Sequence, residues 1–107
     1  MAKTFKLRPK TEKDLINIYR YSVREWGIEH ADTYIRHINS AFQQLADGVK
    51  SGRDYSHVKP GLRAYNVISH VIFYMVTHYG IDVIRVLHKS MDYQRHIAPY
   101  ADNQDYH

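Results

Sequence analysis

Three apolar runs packed between Leu62 and Asp92, LRAYNVISHVIFYMVTHYGIDVIRVLHKSMD, constrain this chain more than any other stretch of it. They are rich in Val, Ile, Phe and Tyr, which fit a pleated, half-buried surface, and they are parted by two turns. The runs predict strands at about Leu62 to Ile68, His70 to His78 and Ile81 to His88, with Tyr79-Gly80 supplying the positive φ of a tight hairpin. Because strand side chains alternate, Val71, Phe73 and Met75 face one way, and Ile72, Tyr74 and Val76 the other. In the last strand Ile81, Val83 and Leu87 share a face, with Arg85 set in that row, and Ile84 and Val86 take the opposite one. Both faces of the sheet are apolar. The chain's own helices can cover one, so the second needs another cover.

The residues before the sheet supply those helices. Thr4 to Arg8 alternates Phe5 and Leu7 with basic residues and reads as an amphipathic edge strand, stopped by Pro9. Thr11-Glu12-Lys13-Asp14 resembles a capping box, with the Thr11 oxygen accepting an orphan backbone N–H. Leu15, Ile18, Tyr19, Ser22 and Trp26 then recur at helical spacing up to Gly27. A second helix from about Ile28 to Asp47 carries Ala31, Tyr34, Ile35, Ile38, Ala41, Phe42 and Leu45 on one face, with Gly48 as its C-terminal stop. One glycine between two helices predicts an antiparallel hairpin lying on one side of the sheet.

The predicted order is therefore β-α-α-β-β-β, an α+β fold in which an N-terminal helical hairpin packs on a small antiparallel sheet. Residues 1–97 form one domain, and 98–107, which come after a helical turn at about Asp92 to Ile97 and include Pro99, read as a polar, flexible tail. The segment from Val49 to Gly61, with Ser51-Gly52 and Pro60-Gly61 as turn signals, is a long loop.

With 107 residues and a 44% hydrophobic content the chain can bury one core and lacks a membrane-spanning run. No apolar leader opens it, and with no cysteine it has no disulfide or thiol chemistry, which fits a reducing cytoplasm. The net charge of +4 is uneven: Lys3, Lys6, Arg8, Lys10 and Lys13 crowd the first residues, and Lys50, Arg53, Lys59 and Arg63 line the approach to the sheet. Such patches suit an anionic partner or a solvated surface.

Eight histidines raise the question of a metal, but none stands at metal-ligand spacing and no metal or cofactor is expected. No serine lies in a nucleophile elbow and no glycine loop is built for phosphate. What remains is a polar cluster: Arg63, Arg85, His88, Lys89 and Tyr93. Cleaving an RNA phosphodiester would need cations for the developing charge together with a base and an acid, and those types are present. The competing reading pairs Arg85 with an acid such as Asp92 and has His88 cap the strand end.

Taken in sequence, LRPKTEKDLINIYRYSVREWG, the helix beginning near Ala31 and Asp32, Pro60-Gly61-Leu62-Arg63-Ala64-Tyr65, Ser69-His70-Val71-Ile72-Phe73-Tyr74 and Ile84 to Asp92 resemble the ParE-type toxins of type II toxin–antitoxin systems, within the RelE/ParE superfamily, over about residues 5–97. The resemblance implies a helical hairpin on a small sheet and a toxin without chemistry of its own. Such a toxin poisons DNA gyrase, blocks replication and is neutralised by a ParD-type antitoxin laid across its helices and sheet. The antitoxin would then cover the second apolar face. On this reading Trp26, Tyr34, Arg63, Tyr65, Phe73, Met75 and Arg85 are candidates for antitoxin binding, and His88, Lys89, Met91 and Asp92 for gyrase binding. Direct nucleic-acid binding by the chain alone is not expected. The alternative within the superfamily is a ribosome-dependent mRNA endoribonuclease of the RelE type, using Arg63, Arg85, His88 and Tyr93. Its lysine pair is not clearly reproduced, whereas Met91-Asp92 is ParE-like; Tyr93 departs from the proline frequent in ParE relatives.

Overall fold

A computed structural model describes residues 2–97. Its elements are β1 (Thr4–Leu7), α1 (Pro9–Trp26), α2 (Ile28–Asp47), β2 (Arg53–Asp54), β3 (Leu62–Val67), β4 (His70–Thr77) and β5 (Gly80–His88), with a helical turn over residues 93–97 at the end. The expected α+β order is found, with one addition: the short β2 within the long loop pairs with β3. Strand order is β1-β5-β4-β3-β2. The sheet is antiparallel from β2 to β5, and β1 adds a parallel edge on β5, with Phe5 opposite Ile81 and Leu7 opposite Val83. The predicted tail, 98–107, lies outside the described residues.

Local chemistry sets the helix ends. Pro9 starts α1 as its first residue, where a missing N–H costs nothing. Thr11 is therefore not an N-cap but lies inside the first turn, fully buried, and its hydroxyl donates to the Val83 carbonyl of β5 at 3.0 Å. Gly27 (φ 92°) separates the helices, and its N–H closes α1 on the Val23 carbonyl at 2.9 Å. α2 ends in a Schellman motif, with Gly48 left-handed and the Val49 N–H reaching the Gln44 carbonyl at 3.0 Å.

Gly80 has a role beyond the hairpin. The β4–β5 loop is His78-Tyr79, and Gly80 pairs with Thr77 as the first residue of β5 at φ 142°. A Cβ there would lie 1.8 Å from the Thr4 carbonyl oxygen. It is the close approach of β1, as much as the turn, that excludes a side chain.

Two cores flank the sheet. On the helix side Ile18, Ile38, Phe42 and Leu45 pack against Ile72, Tyr74, Ile81, Val83 and Val86. On the other, Leu62, Ala64, Val71, Phe73, Ile84 and Leu87 are closed over by Tyr55, Val58, Tyr93 and Ile97. The second face is thus covered by the chain itself, by the loop ahead of β3 and the segment behind β5, and does not await a partner. The expected facing of β5 is also corrected. A bulge opposite Phe73 and Tyr74 puts one extra residue, Ile84, into the strand. Beyond it the alternation shifts by one, sending Val86 to the helix side and Leu87 to the other.

Candidate functional site

A large cleft of about 910 Å³ lies where the tip of the helical hairpin overhangs the far end of the sheet. α1 contributes Asp14, Ile18, Tyr21 and Trp26, and α2 His30 and Tyr34. The β3–β4 turn adds Ile68 and His70, and the end of β5 and the segment beyond it add Arg85, His88, Met91 and His96. Tyr21, Trp26, Ile68 and Met91 are among the exposed large apolar residues of the molecule, Trp26 being 58% and Ile68 65% exposed. Apolar side chains concentrated around one concave site mark a binding surface.

Trp26, placed by its spacing in the apolar stripe of α1, sits instead at the helix end, edge-on to Tyr21 at 5.8 Å and tilted against His30 at 5.4 Å. Ile68 stands at φ 53°, an uncommon conformation for a β-branched residue. Its turn is held by Tyr34, whose hydroxyl accepts the Ser69 N–H at 3.2 Å and lies 2.6 Å from His70 Nδ1. Backbone strain of this kind clusters where binding or switching occurs.

The charges in the cleft are spent internally. Arg85 makes a two-pronged contact to Asp14, Nε to Oδ2 and Nη2 to Oδ1, both at 2.8 Å, and donates a third bond to the His96 carbonyl at 3.2 Å. Asp14 also accepts the Val86 N–H, which lies beyond the last β5 residue paired with β1, at 3.1 Å. With side chains only 11% and 12% exposed, this pair is a structural clamp joining α1 to β5. Arg85 therefore pairs with Asp14 and not with Asp92. His70 and His88 lie edge to face at 5.2 Å. Burial, reinforced by His88 and opposed by Asp14, lowers His70 to about 4, so it is neutral at physiological pH.

The residues of the nuclease reading are not brought together. Arg85 and His88 line the cleft, but Arg63 lines a separate hollow of about 280 Å³ near the end of α2 and donates to the Gly52 carbonyl. Tyr93 lies on the covered face against Phe73 at 5.0 Å, its hydroxyl donating to the Lys89 carbonyl at 2.7 Å. Burial raises Tyr93 and keeps it a phenol.

Of the candidates for antitoxin contact, Trp26, Tyr34 and Arg85 line the cleft. Phe73 is fully buried and presents no surface, a direct result of the covered second face. Met75 packs on that same core, and Tyr65 packs half-buried on the helix side. Of the candidates for gyrase contact, His88 and Met91 line the cleft, while Lys89 and Asp92 are exposed beyond it. Sequence reasoning missed Asp14, Tyr21, His30, Ile68, His70 and His96. Asp14 carried a signal: with Ile18 and Ser22 it falls at i, i+4 and i+8, an acid on a buried stripe. No group of three or more metal-ligating side chains occurs among the described residues, and no helix there is long and apolar enough to cross a membrane.

Residues 5–93 match the model of the family described as "ParE toxin of type II toxin-antitoxin system, parDE". The chain is 35% identical to "Toxin ParE1" of Mycobacterium tuberculosis over 98 residues, covering 91% of this chain and 100% of that one. It is 33% identical to "Toxin ParE1" of Caulobacter vibrioides over 96 residues, covering 90% and 99%. With "Toxin ParE" of Escherichia coli it shares 32% over 94 residues, covering 86% and 90%. A solved structure described as "Chromosomal ParDE TA system from P. aeruginosa" superposes with a TM-score of 0.67 at 22% identity, covering 81% of this chain and 96% of that one, and shares the fold.

Proposed function

We propose, from the premise that this chain belongs to the ParE toxin family of type II toxin–antitoxin systems, that it arrests growth by binding DNA gyrase and is neutralised by a ParD-type antitoxin seated in the hairpin–sheet cleft. The family match, running from β1 to beyond β5, carries the reading. The cleft supports the second half of it. Four exposed apolar side chains ring a concave surface whose one arginine is already bound to Asp14, which suits an amphipathic protein segment.

A toxin that acts by binding needs no catalytic group. The dispersal of Arg63, Arg85 and Tyr93 over three sites, with Arg85 clamped, favours this over the endoribonuclease alternative. Both targets place the protein's action in the cytoplasm.

The test is a supercoiling assay with purified gyrase and toxin. Loss of supercoiling with accumulation of cleaved DNA, reversed by equimolar antitoxin, is expected. Unimpaired supercoiling at saturating toxin would refute the gyrase target. Cleavage of translated messages, abolished by Arg63→Ala, would establish the nuclease instead.

A further inference from the structure

His70 and His88 are arranged in a way that the proposed partner binding does not by itself explain. Each ring has its Nδ1 engaged: His70 by the Tyr34 hydroxyl at 2.6 Å, His88 by Ser90, whose N–H donates to it at 3.1 Å. Among the described residues no further hydrogen bond reaches either imidazole, so both Nε2 atoms are unspent. The rings touch at 5.2 Å and both line the cleft. His88 is exposed and His70 half-buried, so water reaches the pair until a ligand docks; a ligand that displaces that water is favoured if it supplies a polar partner to the rings in its place.

The surroundings select the chemistry of that ligand. From α1 the charged group facing the pair is Asp14, held by Arg85 of β5. From α2 come the neutral phenol of Tyr34 and the imidazole of His30; beyond β5 lie Lys89 and His96. Asp14 is committed, so among the described residues no free carboxylate serves the two histidines. A cation from a partner would set like charge beside them in a protein already at +4. A carboxylate would accept from both Nε2–H groups and draw a proton onto the site, since an opposite charge within a few ångströms favours the imidazolium.

Building on the antitoxin reading, we propose that the antitoxin segment occupying the cleft inserts a carboxylate side chain between His70 and His88, and that this contact takes up a proton, so that the complex tightens as pH falls. Apolar residues flanking the acid at helical spacing would rest on Tyr21, Trp26, Ile68 and Met91, which surround the pair. In the free chain His70 is held at about 4. If the carboxylate lifts it to about 7, linkage makes binding about eightfold tighter at about pH 6 than at about pH 7.5.

The experiment is calorimetric titration of the full chain with the ParD-type antitoxin encoded beside its gene. It is run at both pH values in two buffers of different ionisation enthalpy, which counts the protons taken up. Tightening of the expected size with uptake approaching one proton is expected. His88→Gln, an exposed site, should flatten the pH dependence, as should His70→Gln, which keeps a hydrogen-bonding partner for Tyr34. Ring resonances of His70 tracked by NMR should titrate at higher pH in the complex than in the free chain. Antitoxin binding that is equally tight at both pH values, with heats independent of buffer, would overturn the proton-linked contact and leave the antitoxin reading intact. Failure of the antitoxin to bind at either pH would overturn that reading itself. pH-dependent capture of a short single-stranded RNA in place of the antitoxin, lost in His88→Gln, would show that the histidines serve a phosphate and not a protein carboxylate.

Discussion

Replacing Asp14 with alanine should unfold this protein more readily than any substitution on its surface. The carboxylate receives two bonds from Arg85 at 2.8 Å and the Val86 N–H at 3.1 Å, so its loss strands a guanidinium and a backbone donor together. Breaking a buried pair by removing one partner costs roughly 3–5 kcal/mol. Arg85 keeps its bond to the His96 carbonyl at 3.2 Å, and both side chains retain about a tenth of their exposure, which sets the expectation near the lower bound, about 3 kcal/mol. For a domain of this size that is a fall in Tm of about 12–20 °C, or about 1.5 M off the urea midpoint. Urea unfolding monitored by far-UV circular dichroism measures it. Asp14→Leu combined with Arg85→Met should regain most of the loss, because an apolar replacement of both partners removes the stranded charge. A change below about 1 kcal/mol in Asp14→Ala, or strict additivity of Asp14→Ala and Arg85→Ala, would refute the clamp. The same experiment separates structure from chemistry: an arginine serving as a phosphate ligand could be removed without loss of stability.

Three further outcomes rest on single contacts. Tyr74→Phe removes the hydroxyl that accepts the buried Gly52 N–H at 2.7 Å, so denaturant unfolding should show a loss of about 1–3 kcal/mol. Gly80→Ala forces a Cβ to 1.8 Å from the Thr4 carbonyl, and hydrogen exchange should show β1 detached from β5, with its amides unprotected while those of β4 stay slow. Because His70 is lowered to about 4 in the fold and the unfolded chain binds the proton near 6.5, its contribution to stability is lost as pH falls through that interval, and is fully kept above it. The partial exposure of the ring limits the effect to about 2 kcal/mol, and His70→Gln should remove this part of the acid sensitivity in melts taken between about pH 7 and about pH 4.

Where local rules act alone, the fold is legible in the sequence. The helix from Ile28 to Asp47 is dictated by its apolar face and two flanking glycines, and its ends agree to the residue. The β4 faces are dictated by alternation, and Ile72 and Tyr74 do meet the helices while Val71 and Phe73 do not. Alternation fails in β5 because one inserted residue, Ile84, has no signature in composition, and a bulge inverts every assignment beyond it. Thr11 misleads for a related reason: Pro9 begins the helix three residues earlier than a capping box would, and the hydroxyl turns inward to Val83.

These same misreadings bear on function. An apolar second face pointed to a partner, yet the segments around Tyr55 and Tyr93, which have no period of their own, fold over it and bury Phe73. The surface left for a partner lies away from that face, at the open end where the hairpin tip and the β3–β4 turn fail to meet. Beyond Val83, where β1 no longer pairs with β5, the Val86 N–H and the Arg85 guanidinium both close on the Asp14 carboxylate of α1. The clamp removes from the cleft the one permanent cation that would otherwise dominate recognition there. What remains in its lining is a pair of imidazoles, His70 half-buried and His88 exposed, so an occupant of the cleft meets two neighbouring ring edges where it would otherwise have met a guanidinium.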